Sequence, residues 1–245
     1  MQTTKWNASV PRPRVLLKLS GEVLAGKAGS GLDGAVLDAV AKELARALAD
    51  GARAAVVLGG GNIFRGLGKA AAGMDRVTAD EMGMLATVIN GLALKDAVRR
   101  AGAAAELYTA RPMTPFGRPY VRDDALAAID GGALAILAGG TGNPFFSTDS
   151  GAALRAAELG CALLLKGTKV DGVYDKDPAK HPDAVRFDAL TVDEMIERKL
   201  GVMDLTAATL CRENGVDIVV YRMADEDAVY RAALGEACGT RVRAR

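Results

Sequence analysis

Four glycine-rich turns hold most of the chemistry that this 245-residue chain can offer. They are Ser20-Gly21, Gly59-Gly60-Gly61, Gly139-Gly140-Thr141-Gly142 and Gly167, each at the carboxyl end of an expected strand. In open α/β sheets, ligands bind at that edge. Consecutive amides with no Cβ in the way form anion-binding nests, and a following helix adds the positive end of its dipole. One such turn is an ordinary strand-to-helix connection. Several together, beside Lys18, Arg65, Thr141 and Lys166, favour a polyphosphate ligand. Lys18 can bridge phosphates as a point charge, and Arg65 has the planar fork that matches phosphate oxygens bidentately. Asp149 and Asp204 are the candidate carboxylates, although each also stands where a helix cap belongs.

Composition removes the competing chemistries. The chain has 31 basic and 30 acidic residues, and a net charge of +1 gives no field for wrapping nucleic acid or lying on an anionic membrane. A single histidine, His181, in a proline-flanked loop, leaves no second place for a Ser-His-Asp triad. Cys161, Cys211 and Cys238 are scattered and odd in number, as expected of reduced thiols in a cytoplasmic protein. Aromatic residues are only 4% of the chain, too few for stacking platforms. Residues 21–28 nearly fit a P-loop, but Ala28 stands where a hydroxyl must reach magnesium. Residues 29–34 fit G-x-G-x-x-G, yet no strand precedes them. Both stretches are expected to form a glycine-rich hairpin or loop. Residues 1–13 lack the apolar core of a signal peptide and are expected to be a flexible arm, as is the terminal Arg-Val-Arg-Ala-Arg. No apolar run approaches the ~20 residues of a membrane span.

The elements that must position these groups follow from periodicity. Strands are expected at residues 14–19, 54–58, 103–108, 133–138, 161–165 and 216–221. Helices are expected at 32–50, 78–101, 150–159, 191–199, 204–213 and 225–235, with Asp33 capping the first and Asp80 and Glu81 in the first turn of the second. The proline-rich stretch 111–119 reads as a loop. This alternation predicts an α/β fold: a three-layer α/β/α sandwich around a mainly parallel sheet.

The motifs, taken together, are recognisable. Lys18-Leu19-Ser20-Gly21, Gly59-Gly60-Gly61-Asn62 with Phe64-Arg65-Gly66, Thr141-Gly142-Asn143-Pro144-Phe145-Phe146-Ser147-Thr148-Asp149, and Thr168-Lys169-Val170-Asp171-Gly172-Val173-Tyr174 resemble the bacterial uridylate kinases of the amino-acid-kinase fold. The resemblance runs collinearly from about residue 14 to 240. The first two motifs are shared with kinases of carboxylates and carbamate, whereas the stretch ending in Asp149 is specific to the uridylate branch.

The resemblance implies transfer of the γ-phosphoryl of MgATP to UMP, in pyrimidine nucleotide biosynthesis. It implies an ATP site of Lys18, Leu19, Ser20, Gly21, Gly61, Arg65, Thr168, Tyr174 and Asp177. The UMP site would comprise Gly60, Asp80, Thr141, Gly142, Asn143, Pro144, Phe145, Phe146, Ser147 and Thr148, with Asp80 accepting from ribose hydroxyls. Phe145 and Phe146 could pack on the base, although two phenylalanines in an apolar context more often belong to the core. Asp149 and Asp204 would orient Lys18 and help position magnesium-bound phosphate, with no residue assigned as a direct metal ligand. Residues 14–240 would form one kinase domain, with a UMP-binding lobe to about residue 160 and an ATP-binding lobe beyond it. Homohexamers, GTP activation and UTP inhibition are further implications. For GTP, Lys95, Arg99 and Arg100 match, but Glu106 replaces a basic residue. The rivals are a carboxylate or carbamate kinase, a non-catalytic anion- or nucleotide-binding relative on the same fold, and a nucleic-acid-binding regulator, which has no basic stripe behind it.

Overall fold

The computed structural model describes residues 11–65, 73–236 and 239–245. In chain order the elements are β1 (Arg14–Leu19), α1 (Gly21–Leu24), α2 (Gly34–Ala49), β2 (Arg53–Leu58), α3 (Arg76–Arg100), β3 (Ala105–Thr109), β4 (Arg118–Pro119), α4 (Arg122–Asp130) and β5 (Leu134–Ala138). They continue with α5 (Thr148–Glu158), β6 (Leu163–Thr168), β7 (Ala189–Thr191), α6 (Val192–Glu197), α7 (Leu205–Asn214), β8 (Asp217–Arg222), α8 (Ala228–Ala233) and β9 (Thr240–Arg243).

The strands form one sheet in the order β4-β3-β5-β2-β1-β6-β8-β9-β7, parallel throughout except between β8 and β9. Because side chains alternate across a strand, β1 sends Val15, Leu17 and Leu19 to one face, where they pack with Leu37, Val40 and Leu44 of α2 and with residues of α3 and α8. Leu16 goes to the other face, with Ala152 and Ala156 of α5, Ala207 and Cys211 of α7, and residues of α4 and α6. Both faces are therefore covered, and the strands read as continuous apolar runs. The expected three-layer α/β/α architecture is the one observed.

Several local expectations change. α3 begins at Arg76, capped by Asp75, whose side chain accepts from Thr78 N. Asp80 and Glu81 thus stand one turn further in than expected. The helix α4 was not foreseen, and the stretch near residues 21–28 forms a short helix and a 3₁₀ turn rather than a hairpin. The terminal arginines are not a solvated tail. Thr240–Arg243 is a strand, Val242 is buried, and Arg241 pairs with Asp217 at 2.8 Å. At the other end, Arg14 pairs with Asp130 at 2.8 Å, and Arg12 donates to Leu234 O. Most of the expected N-terminal arm lies outside the described residues. Among the described residues, no helix is long and apolar enough to cross a membrane.

Candidate active site

The parity that sends Leu16 toward α5 sends Lys18 there too, because the two are separated by a single residue. β6 is in register with β1, pairing Leu16 with Leu164 and Lys18 with Lys166. Two lysines therefore lie side by side on one face of adjacent central strands. Asp149, in the first turn of α5, meets both: Lys18 Nζ lies 2.9 Å from its Oδ1, and Lys166 Nζ bonds its Oδ2. Burial alone would raise the Asp149 carboxyl, but the charges of Lys18 and Lys166 outweigh it and hold it below the usual carboxylate range. Burial lowers the Lys166 ammonium; Asp149 opposes this and Lys18 adds to it, leaving the net direction downward. The sequence places Lys166 beside a glycine turn but does not pair it with Lys18 and Asp149. Its signal was its register with Lys18.

Asp149 is not the cap of its helix. Ser147 is, its Oγ accepting from Asp149 N at 3.0 Å and Ser150 N at 3.1 Å. Asp204 caps α7, accepting from Ala207 N at 2.9 Å. It also accepts from Ser150 Oγ at 2.8 Å and from Ser147 Oγ. Asp204 thus grips the start of α5, the turn that carries Asp149, through two hydroxyls.

The glycines have packing reasons. A Cβ on Gly21 would collide with the carbonyl of Gly59, and one on Gly60 would lie 2.8 Å from Gly83 O. Gly59 N donates to Leu19 O at 2.9 Å, which locks the first two turns together. Beneath them Asn90 Nδ2 donates to Gly59 O and to Asn62 Oδ1, both at 2.7 Å. The Leu19 side chain belongs to the core, so it packs the turn rather than facing a ligand. Ser20 precedes α1 without a side-chain capping bond. At the rim, Arg65 Nε donates to Gly61 O at 3.1 Å, and Glu22 pairs with Arg65 and, at 2.9 Å, with Lys169. The Lys169 hydrogen bond, with the Arg65 charge, keeps Glu22 below the ordinary glutamate range. Gly66 lies outside the described residues.

Two clefts open on either side. One, of about 130 Å³, is lined by Gly60, Gly61, Asp80, Thr141, Asn143, Phe146, Ser147 and Thr148 among others. Asp80 Oδ2 accepts from Phe145 N and from Arg76 Nε, each at 2.8 Å. Phe145 is in the left-handed region at φ 70°, with the Arg76 guanidinium 5.3 Å from its ring centroid. Phe145 and Phe146 are 66% and 50% exposed, so neither belongs to the core. Arg111 Nε donates to Gly142 O at 2.6 Å, and Pro144 completes the turn between Asn143 and Phe145.

The second cleft, of about 590 Å³, has Lys166 and Thr168 among its lining residues, together with Gly172, Tyr174, Asp177 and the 198–202 turn. Tyr174 Oη donates to Asp171 Oδ1 at 2.7 Å. Thr168 Oγ1 accepts from Val170 N, and Asp177 accepts from Ala179 N at 3.0 Å. His181 does not line either cleft. Among the described residues no cluster of His, Cys, Asp or Glu is spaced to hold a metal. Both Asp149 oxygens face ammonium groups, so this donor set suits an ion carried in on nucleotide phosphates rather than a protein cage.

Two lysines held by one carboxylate on the carboxyl edge of a parallel sheet, with Lys166 lining the larger cleft and Thr148, next to Asp149, lining the smaller, suit a phosphotransferase. Residues 13–222 match the model of the amino acid kinase family, and the chain belongs to that family. Within it, the chain is similar to uridylate kinases. Those of Xanthomonas oryzae pv. oryzae and Xanthomonas euvesicatoria pv. vesicatoria are each 51% identical over 232 residues, covering 95% of this chain and 97% of theirs. The crystal structure of UMP kinase from Bacillus anthracis aligns with a TM-score of 0.89 at 33% identity, covering 96% of this chain and 97% of that one. That of UMP kinase from Ureaplasma parvum gives 0.89 at 34% identity, covering 96% and 100%.

Proposed function

We infer that the chain is a uridylate kinase: a nucleoside monophosphate kinase that transfers the γ-phosphoryl of ATP to UMP, giving UDP and ADP. An oxygen of the UMP phosphate forms the new bond to the γ-phosphorus while the bond from that phosphorus to the β-bridging oxygen breaks, and ADP leaves with the electron pair. The acceptor is already ionised, so no general base is required. What the protein must supply is alignment and cancellation of charge on the moving group.

The observation that carries the reading is the Lys18–Asp149–Lys166 row on the carboxyl edge of the sheet. Lys18, two residues before the Ser20-Gly21 turn, is assigned to the bridging and γ-phosphate oxygens. Lys166, which lines the larger cleft, is assigned to the donor phosphates. Asp149 keeps both ammoniums in place, and Asp204 keeps Asp149 in place. Arg65, at the rim, exchanges its Glu22 partner for nucleotide phosphate. We assign the larger cleft, with Thr168, Tyr174 and Asp177, to ATP, and the smaller, with Asp80 and residues 141–148, to UMP. Its hydroxyls, amides and carboxylate suit a pyrimidine edge and ribose hydroxyls. This division corresponds to the two lobes, to about residue 160 and beyond. Magnesium, carried by ATP, would supply charge neutralisation at the β- and γ-oxygens.

The regulatory reading is more selective. UTP requires only the acceptor pocket and is proposed as an inhibitor. The cations implied for GTP are already engaged: Lys95 and Arg99 pair with Glu106 at 3.5 and 3.1 Å, and Arg100 pairs with Asp38 at 2.9 Å. A GTP effector at this helix would have to displace Glu106 and Asp38 from these cations. Leu85 and Ile89, 50% and 48% exposed, form with Leu92 an apolar stripe along α3, which supports assembly of copies into the proposed homohexamer. The unpaired Cys161 and Cys211 suit a reducing cytoplasm.

The deciding experiment is ADP release coupled to a reporter, with UMP, CMP, dTMP, acetylglutamate and aspartate as acceptors. Activity with UMP well above the others is expected. Equal rates with CMP would overturn the substrate assignment, and activity only with a carboxylate would move the chain to another branch of its family. ATP binding without transfer to any acceptor would favour the non-catalytic relative.

A further inference from the structure

The nucleotide contacts assigned to Tyr174 and Asp177 depend on a small hairpin that leaves the sheet after β6. Residues 173–175 and 185–187 run antiparallel: Phe187 N donates to Val173 O at 2.9 Å and Asp175 N to Val185 O at 3.1 Å, with Tyr174 bridged to Arg186. A regular antiparallel pair would complete this with Val173 N donating to Phe187 O. That bond is not made directly. The hydroxyl of Thr240 stands in its place, accepting from Val173 N at 2.9 Å and donating to Phe187 O.

Thr240 is fully buried and is the first residue of β9, paired with Val220 of β8. Its hydroxyl is therefore fixed by the sheet, while the groups it binds belong to the hairpin. The local sequence accommodates the insertion. A Cβ on Gly172 would run into Thr240 Oγ1 and lie 2.8 Å from Arg186 Cδ, so the chain passes the hydroxyl only as glycine. One donor and one acceptor that have no other partner on the hairpin are both satisfied by one side chain, the arrangement in which deletion leaves two buried polar groups unmade.

We propose that Thr240 is a positioning residue for the donor nucleotide, its hydroxyl splicing the hairpin that carries Tyr174 and Asp177 onto the central sheet. The proposal rests on the assignment of the larger cleft to ATP. Thr240 touches no substrate; it acts through the hairpin. Loss of the hydroxyl loosens the donor side and leaves the acceptor side, built on β2, α3 and α5, untouched.

The test compares Thr240→Val, Thr240→Ser and Gly172→Ala with the wild type. ATP affinity is read by calorimetry, KM for each substrate by the coupled assay, and hairpin order by amide hydrogen exchange. Thr240→Val should raise the Kd and KM for ATP by about tenfold, the scale of one or two unmade buried hydrogen bonds. KM for UMP and kcat at saturating ATP should change less than about threefold, and exchange should quicken across residues 172–187. Thr240→Ser, which keeps the hydroxyl, should restore ATP affinity. Gly172→Ala, which crowds the same hydroxyl from the hairpin side and leaves the sequence of β9 unchanged, should mimic Thr240→Val and serves if that variant does not fold. Wild-type ATP affinity in both Thr240→Val and Gly172→Ala would overturn the proposal, as would equal losses for ATP and UMP, or a serine variant as impaired as the valine. A wild-type protein that binds ATP but does not phosphorylate UMP would remove the kinase reading alone, because the calorimetric and exchange measurements still decide the role of Thr240.

Discussion

Replacing Asp149 by asparagine removes one charge and almost no volume from the centre of the site. The structure sets the scale of the effect. With Lys18 Nζ at 2.9 Å, an effective dielectric constant of about 20 gives a gross attraction of roughly 6 kcal/mol for that pair alone. Relief of the carboxylate's own desolvation cancels part of this. Breaking a buried ion pair by removing one partner costs about 3–5 kcal/mol. A lysine can then shed a proton to escape its neighbour, so the lower end is the better figure for stability. For a domain of this length about 3 kcal/mol corresponds to a fall in Tm of roughly 6–12 °C. The same 3 kcal/mol of lost orientation in the transition state corresponds to a fall in kcat of at least about a hundredfold. ATP affinity should not fall with it, because a site relieved of one negative charge holds polyphosphate no less well.

Thermal unfolding and the coupled assay, with ATP affinity measured separately by calorimetry, check all three parts. The pH dependence adds a fourth. The Asp149 carboxyl is held below the usual range, so its stabilisation is complete above the unfolded value near 4 and drains away only as pH falls through the folded value. The Tm difference between the variant and the wild type should therefore be constant from about pH 6 to 8 and shrink below about 4. A variant with kcat within tenfold of wild type would refute the reasoning. So would a loss of ATP affinity in step with kcat, since that would make Asp149 a mere support for the fold.

Lys166 predicts an alkaline limit to activity. Burial holds its ammonium below the ordinary lysine value, so kcat/KM for ATP should decline at a pH lower than the ordinary ~10.4, and Lys166→Arg should move that limb upward. Losing that proton relieves a buried charge, so stability should rise rather than fall across the same window; an unchanged limb in the arginine variant would exclude Lys166 as its source. The buried thiols give a second check. Burial pushes both Cys161 and Cys211 up to about 12, so a thiol reagent at pH 8 should modify no more than one of the three cysteines in the native protein and all three after denaturation. Rapid native modification of two or more would contradict their burial.

The sheet and its glycine turns were legible because parallel strands buried on both faces read as plain apolar runs ending in glycine. What was not legible depended on distances between elements. Ser147, Thr148 and Asp149 are all plausible helix caps, and sequence alone does not choose among them. In the fold Ser147 caps, which frees Asp149 to face the lysines. Asp204 carries the same ambiguity and resolves it the other way, as a cap that also holds two serine hydroxyls. The terminal strand was hidden by its arginines. Thr240 and Val242 alternate inward while Arg241 and Arg243 point out, a period of two that the positive charge obscured. The apolar residues of α4 run together at 125–129 rather than at helical spacing, so no period stands out in its nine residues. The left-handed Phe145 has no sequence signal, because a phenylalanine is among the residues least expected there.

The arrangement also explains how a chain with one histidine and almost no net charge can run this chemistry. An anionic acceptor needs no base, so the catalytic demand is for cations held where the phosphoryl group moves. Cations placed together repel, and burial discourages each of them further. Register solves the first half of the problem by putting Lys18 and Lys166 on adjacent strands and the same face. Asp149 solves the second half, because one carboxylate between two ammoniums leaves a local charge of about +1 aimed at the cleft rather than a diffuse positive surface. The same logic accounts for the outer ring, where Glu22 holds Arg65 and Lys169 together. In both places a carboxylate sets where the cations stand, and on the proposed assignment incoming phosphate has only to take over partners already in position. Preorganisation of this kind lowers the reorganisation left to the transition state, and it requires local geometry rather than overall charge.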